Sequence, residues 1–91
     1  MMPARPTSVA LVRAVSSTVV TDGLALLDER RGTIYHLNHT ATAALSALID
    51  GGYEAAVTAL CRRYAITEDT ARRDVTRFLD ELRACRLVIT S

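Results

Sequence analysis

Apolar and polar residues alternate in the first half of the chain, in a pattern that predicts β-strands. Residues 15–21 are rich in Val and Thr, which favour extended structure. Asp22 and Gly23 follow, the dipeptide that most strongly indicates a two-residue hairpin turn. Residues 24–28 and 33–37 are two further strands, separated by a charged loop. We therefore expect a three-stranded antiparallel meander in chain order.

The apolar period then changes to that of α-helices. Asn38 is a natural N-cap for a first helix, which a glycine pair ends. A second helix spans about residues 54–64, and Thr67 caps a third helix that runs to about residue 84. Together the elements predict an α+β fold in which the meander precedes three helices. The last two helices have the proportions of a winged helix-turn-helix.

Length and charge restrict the class of protein. The 91 residues allow one small domain, which we place at residues 15–91, after an N-terminal arm at residues 1–14 that is partly extended. Whether residues 9–13 continue the first strand stays open. The net charge of +1, with acids and bases interleaved, argues against a basic nucleic-acid module and a polybasic membrane anchor. No apolar run could span a bilayer and no signal peptide is evident, so we expect a cytoplasmic protein.

The polar residues do not combine into a catalytic pattern. His36, His39, Cys61 and Cys85 are the only histidines and cysteines, and their spacing matches no common zinc module or nucleophile–base pair. There is no glycine-rich phosphate loop, and the acids around Asp28 are expected to be solvated loop charges. The chain is therefore expected to bind a partner, without catalysis, metal or cofactor.

The predicted third helix has an apolar stripe and a second flank. The core stripe steps by four, three and four through Ala71, Val75, Phe78 and Leu82. The flank beside it consists of Arg72, Thr76, Leu79 and Arg83. Two interpretations remain open: Leu79 widens the core face, or Leu79 and Val75 form the floor of a groove bordered by arginines.

The third predicted strand has an edge without protection. Its sequence contains no Pro or Lys, the residues that commonly block pairing with another chain. An extended peptide could add to this edge as a fourth strand, with its side chains directed toward the third helix.

Several segments, in order, resemble the PqqD-like family of peptide-recognition domains, and in particular its small stand-alone members in lasso-peptide biosynthesis. These segments are "DGLALLDERRGTIYHLNHTATAAL", "DGG" and "RRDVTRFLDELRACRLV", which carry the pattern G-x-x-LLD-x-R-x-G, then LN-x-T, then DV and LV. The resemblance covers about residues 15–89.

The resemblance implies that the chain is a non-catalytic element that binds the leader segment of a ribosomally made precursor peptide. The leader would add beside the third strand, in the cleft with the third helix. The partners implied are a cysteine-protease-type leader peptidase and an ATP-dependent macrocyclase. The implied peptide-binding residues are Thr33, Ile34, Tyr35, His36, Leu37, Arg72, Val75, Thr76, Leu79 and Arg83.

Two other functions compete with peptide binding. In a winged-helix DNA-binding regulator, Arg72, Arg73 and Arg77 would face phosphates or bases. Against it, the same helix carries four acids, and acids oppose a phosphate-bound face. These acids are Asp69, Asp74, Asp80 and Glu81. The other alternative is an adaptor that docks a protein partner without strand addition.

Overall fold

The computed structural model describes residues 8–91, which form two small sheets and three helices. The elements follow one another as β1 (Val9–Leu11), β2 (Val15–Val20), β3 (Gly23–Asp28), β4 (Thr33–Leu37), α1 (His39–Gly51), α2 (Tyr53–Tyr64), α3 (Glu68–Ala84) and β5 (Val88–Thr90). The predicted α+β class, with a meander before three helices, is confirmed.

Strands β2, β3 and β4 form an antiparallel sheet in that order. The predicted hairpin exists, but Val20 pairs with Gly23, so Thr21 and Asp22 form the turn. Gly23 instead begins β3, with a φ of 145°, and a Cβ there would collide with the carbonyl oxygen of Leu37. The glycine is therefore required by the close approach of β4 rather than by the turn itself.

The N-terminal segment forms a separate strand instead of extending β2. Val9 pairs with Thr90 and Leu11 with Val88, so β1 and β5 make a two-stranded antiparallel sheet. Val9 is buried in the core. This answers the question that the sequence left open about residues 9–13, while residues 1–7 of the expected arm lie outside the described residues.

The helix boundaries follow the predicted caps. The side chain of Asn38 accepts a hydrogen bond of 2.8 Å from the amide of Ala41, and that of Thr67 accepts one from Thr70. Gly52, with a φ of 87°, ends α1 and donates its amide to the carbonyl of Leu48.

One core joins the inner face of the large sheet to the three helices. Its fully buried large side chains include Leu26, Leu45, Leu48, Tyr53 and Val75. In the pairing of β3 with β4, Tyr35 lies opposite Leu26 and Leu37 lies opposite Leu24. Tyr35 and Leu37 therefore lie on the same face of the sheet as these leucines, the inner face that packs against the core.

The buried stripe of α3 differs from the predicted one by one residue. Leu79 is 3% exposed and belongs to the core with Ala71, Val75 and Leu82, whereas Phe78 is only half-buried. Leu79 therefore widens the core face, which is one of the two interpretations that the sequence left open. Neither Leu79 nor Val75 lines either of the two concavities described below, and their part in a peptide groove stays a prediction.

Candidate functional site

The outer edge of β4 has no strand beside it among residues 8–91. In this part of the chain, β4 pairs only with β3. Along an edge strand, alternate amides and carbonyls point away from the sheet and can pair with another chain. The predicted free edge is therefore present at residues Thr33–Leu37.

A cleft of about 220 Å³ lies between β4 and the C-terminal half of α3. The residues that line it come from β4, from α3 and from the turn that follows α3: Tyr35, His36, Leu37, Phe78, Glu81, Leu82, Cys85 and Leu87. Leu82 and Leu87 are almost fully buried, so they form its floor. Tyr35, Leu37 and Phe78 are half-buried and form its walls.

The rim of the cleft is polar. Glu81 is exposed there, and within residues 8–91 no ion pair holds its carboxylate. The cleft thus offers apolar surface at its floor, an acceptor at its rim and an unpaired strand edge along one side. This combination suits an extended peptide, whose main chain can pair with β4 while alternate side chains enter the apolar space.

The helix residues that the sequence proposed for this wall lie elsewhere. Arg72 donates hydrogen bonds of 2.8 and 2.9 Å to the two carboxylate oxygens of Glu54 on α2, and one of 3.4 Å to Glu68. These carboxylates, Glu54 first, raise the pKa of Arg72 above its ordinary value. The hydroxyl of Thr76 lies 2.9 Å from the hydroxyl of Tyr53. Arg72 and Thr76 therefore fasten α3 to α2.

A second and larger concavity, of about 630 Å³, lies on this α2 side of α3. Its lining combines Tyr53 with a run of charged or small residues on α3: Arg72, Arg73, Thr76, Arg77, Asp80, Glu81 and Ala84. The larger concavity is the weaker candidate, because its lining comes from α2 and α3, away from the free strand edge, and contains three arginines together with two acids.

The structure therefore separates the ten predicted site residues into four groups. The five of β4 form the free edge, with Tyr35, His36 and Leu37 lining the cleft. Val75 and Leu79 lie in the core, and Arg72 and Thr76 lie against α2. Arg83 is exposed and lines neither concavity.

Sequence reasoning missed the residues that do face β4. Phe78, Glu81, Leu82 and Cys85 step by three, one and three, which is the spacing of one helix face. The signal was present in the sequence, but the helix has two flanks beside its core stripe. Nothing in the periodicity tells which flank lies next to the sheet.

An ion pair fixes the hairpin that carries β4. Asp28 is fully buried, although we expected a solvated loop charge, and Arg30 binds both its carboxylate oxygens, at 2.9 and 3.1 Å. These hydrogen bonds hold the pKa of Asp28 below its ordinary value. Arg30 also donates a bond of 2.7 Å to the carbonyl of Arg86, just before Leu87 of the cleft floor. The contact ties the β3–β4 loop to the end of α3.

Both cysteines are free thiols and half-buried, Cys61 on α2 and Cys85 at the end of α3. Across residues 8–91, no group of three or more His, Cys, Asp and Glu side chains is placed to hold a metal ion. In the same part of the chain, no helix combines the length and apolarity that a bilayer span requires.

Comparison with known proteins identifies the family of the chain. Residues 23–88 match the family described as coenzyme PQQ synthesis protein D, PqqD. The chain therefore belongs to the PqqD family. No curated protein sequence matches it.

Two solved structures are similar to the chain. The first is described as lasso peptide synthetase B1 complexed with the leader peptide, with a TM-score of 0.84 and 24% identity, and the match covers 90% of this chain and 98% of that one. The second is described as TbiB1 in complex with the TbiA(beta) leader peptide, with a TM-score of 0.78 and 29% identity, and covers 86% and 92% respectively.

Proposed function

We propose that this chain binds the leader segment of a ribosomally synthesised precursor peptide in lasso-peptide biosynthesis. The observation that carries the proposal is the unpaired edge of β4 beside an apolar cleft, in a chain of the PqqD family. The two similar solved structures, each in complex with a leader peptide, support it.

The leader would add as a strand along Thr33–Leu37. Its main chain would pair with the outward amides and carbonyls of β4, which supply affinity largely independent of peptide sequence. Every second side chain would enter the cleft and cover Phe78, Leu82 and Leu87. On the helix side, this assignment replaces the residues first expected from the sequence with those that line the cleft.

In this proposal the chain acts as a non-catalytic carrier in the cytoplasm. It holds the leader in one extended conformation and presents it to two enzymes, a cysteine-protease-type leader peptidase and an ATP-dependent macrocyclase. A gene for this chain is then expected beside genes for a short precursor peptide, such a peptidase and such a cyclase.

The DNA-binding alternative gains no support from the geometry. Arg72, one of the three arginines that it requires, is already engaged by Glu54 and Glu68. Arg73 and Arg77 border the same concavity as Asp80 and Glu81, and such acids oppose contact with phosphates.

The test begins with a displayed library of random peptides of about 15 residues, long enough to extend beyond the five residues of β4. Peptides that bind the full chain are enriched, and the strongest, here called the selected peptide, is titrated by calorimetry. Proline at the positions whose amides pair with β4 should abolish binding, since proline has no amide hydrogen.

Proline at the alternate positions serves as the matched control and should weaken binding less. Equal loss at both sets of positions, or failure of the library to yield a binder, would contradict strand addition. A gel shift with random duplex DNA at low salt tests the regulator, and we expect no complex.

A further inference from the structure

The face of the large sheet that points away from the helices carries apolar residues close to the free edge. Ile34 on β4 is directly opposite Leu27 on β3, and residues opposite one another share a face. Ile34 is 70% exposed and Leu27 is 37% exposed. No element among residues 8–91 covers this pair, which we call the outer pair.

In the row of residues that contains the outer pair, the apolar character increases toward the edge at which we propose that the peptide binds. On the far strand β2, the residue beside Leu27 is Ser16, and the next outward position is Thr18. At the free edge, the outward positions are Ile34 and His36. Edge strands usually carry charged side chains at such positions, which discourage pairing. This edge carries instead an exposed branched aliphatic residue.

Residues opposite one another on neighbouring strands form rows across the sheet, and strand addition to β4 would extend each row by one residue. A side chain of the added strand would lie about 4.5–5.5 Å from that of Ile34, measured between Cβ atoms. Its sequence neighbours on either side would point the other way, into the cleft. A peptide bound at this edge is therefore in contact with the protein on both faces.

We propose that the outer pair is a second specificity element, which selects an apolar, branched or aromatic residue at the peptide position beside Ile34. The occupant is the same peptide strand that fills the cleft, because the outer pair and the cleft border the same edge. A charged or small residue at this position leaves Ile34 exposed. The inference rests on the proposed function. It adds a second sequence preference, on the opposite face of the sheet, to the preference that the cleft exerts.

The experiment uses Ile34→Thr, which removes apolar surface but keeps a β-branched side chain suited to a strand. The control is Val19→Thr, since Val19 is an exposed β-branched residue of the same sheet, 81% exposed, but lies on β2, away from the free edge and on the face opposite to that of Ile34. Circular dichroism and thermal melting first establish that both variants fold. The displayed library is then selected on wild type and on both variants.

We expect wild type and Val19→Thr to enrich an apolar residue at one peptide position next to those that enter the cleft. Ile34→Thr should lose this preference and keep the inward ones. It should bind the selected peptide about three- to fivefold more weakly than wild type does. Replacing the apolar peptide residue by Ser should produce the same loss on wild type and almost none on Ile34→Thr.

The other outcomes distinguish the two proposals. If the peptide binds at β4 but the losses from Ile34→Thr and from the Ser peptide simply multiply, the outer pair does not read the peptide and this inference is overturned. If sedimentation shows that wild type is a dimer and Ile34→Thr a monomer, with no such coupling, the occupant is a second copy. If no peptide binds at all, the proposed function fails and this inference fails with it.

Discussion

The sharpest prediction concerns two neighbouring residues of α3 that point to different surroundings. Phe78 is half-buried and forms a wall of the cleft, whereas Leu79 is 3% exposed and belongs to the core. Full burial of such a side chain stabilises by about 1.5–3 kcal/mol. Phe78 still has exposed apolar surface that a bound ligand can bury. Leu79 is already buried in the folded protein, so a ligand gains nothing further from it.

We therefore expect Phe78→Ala to weaken binding of the selected peptide by at least about 2 kcal/mol, the scale of an interface hot spot, which is about 30-fold. Leu79→Ala should instead lower the free energy of unfolding by about 2–5 kcal/mol, through the lost transfer energy and the cavity left behind. In the fraction that stays folded, its affinity for the peptide should remain close to that of wild type.

The assay combines urea unfolding of each variant with calorimetric titration of the selected peptide at a temperature well below melting. Arg73→Ala is a suitable control, since Arg73 is exposed on the α2 side of α3. If folded Phe78→Ala binds within about twofold of wild type, or if Leu79→Ala loses affinity without losing stability, the flank assigned to the cleft is wrong.

Three further predictions concern stability, each checked by urea unfolding. Arg30 lowers the pKa of Asp28, so the ion pair stabilises the fold at pH values above 3.8, the ordinary pKa of an Asp side chain. This stabilisation disappears as the pH falls below that value. Arg30→Gln should therefore flatten the pH dependence of the free energy of unfolding. Gly23→Ala should cost at least about 2 kcal/mol, because a Cβ would collide with main chain at a φ of 145°. Tyr53→Phe should cost about 1 kcal/mol, because the hydroxyl joins α2 to α3, and should leave peptide affinity unchanged. A flat pH profile for wild type, a stable Gly23→Ala or an altered affinity of Tyr53→Phe would contradict the respective contact.

The sequence was sufficient for the features that depend on local chemistry. Alternation and period placed the meander and the three helices, and the strand at residues 33–37 has the predicted bounds. The caps at Asn38 and Thr67 were also predicted, because a side chain that accepts from an amide three residues on needs no tertiary contact.

Features that depend on distant parts of the chain were not predictable. The pairing of β1 with β5 joins the two ends of the described chain, and three apolar residues do not specify their partner. Burial of Asp28 depends on Arg30, which also reaches Arg86 across 56 positions. The flank of α3 that borders β4 is decided by how the helix crosses the sheet. The apolar stripe of α3 is compatible with either flank lying next to β4, so the sequence does not distinguish them.

Amide hydrogen exchange, with and without the selected peptide, tests most directly whether β4 is the strand that receives a guest. If the peptide adds to its free edge, alternate amides of Thr33–Leu37, exposed in the free protein, should become strongly protected, together with smaller changes around Phe78 and Cys85. Unchanged exchange in β4, with new protection on the α2 side of α3 instead, would contradict the account.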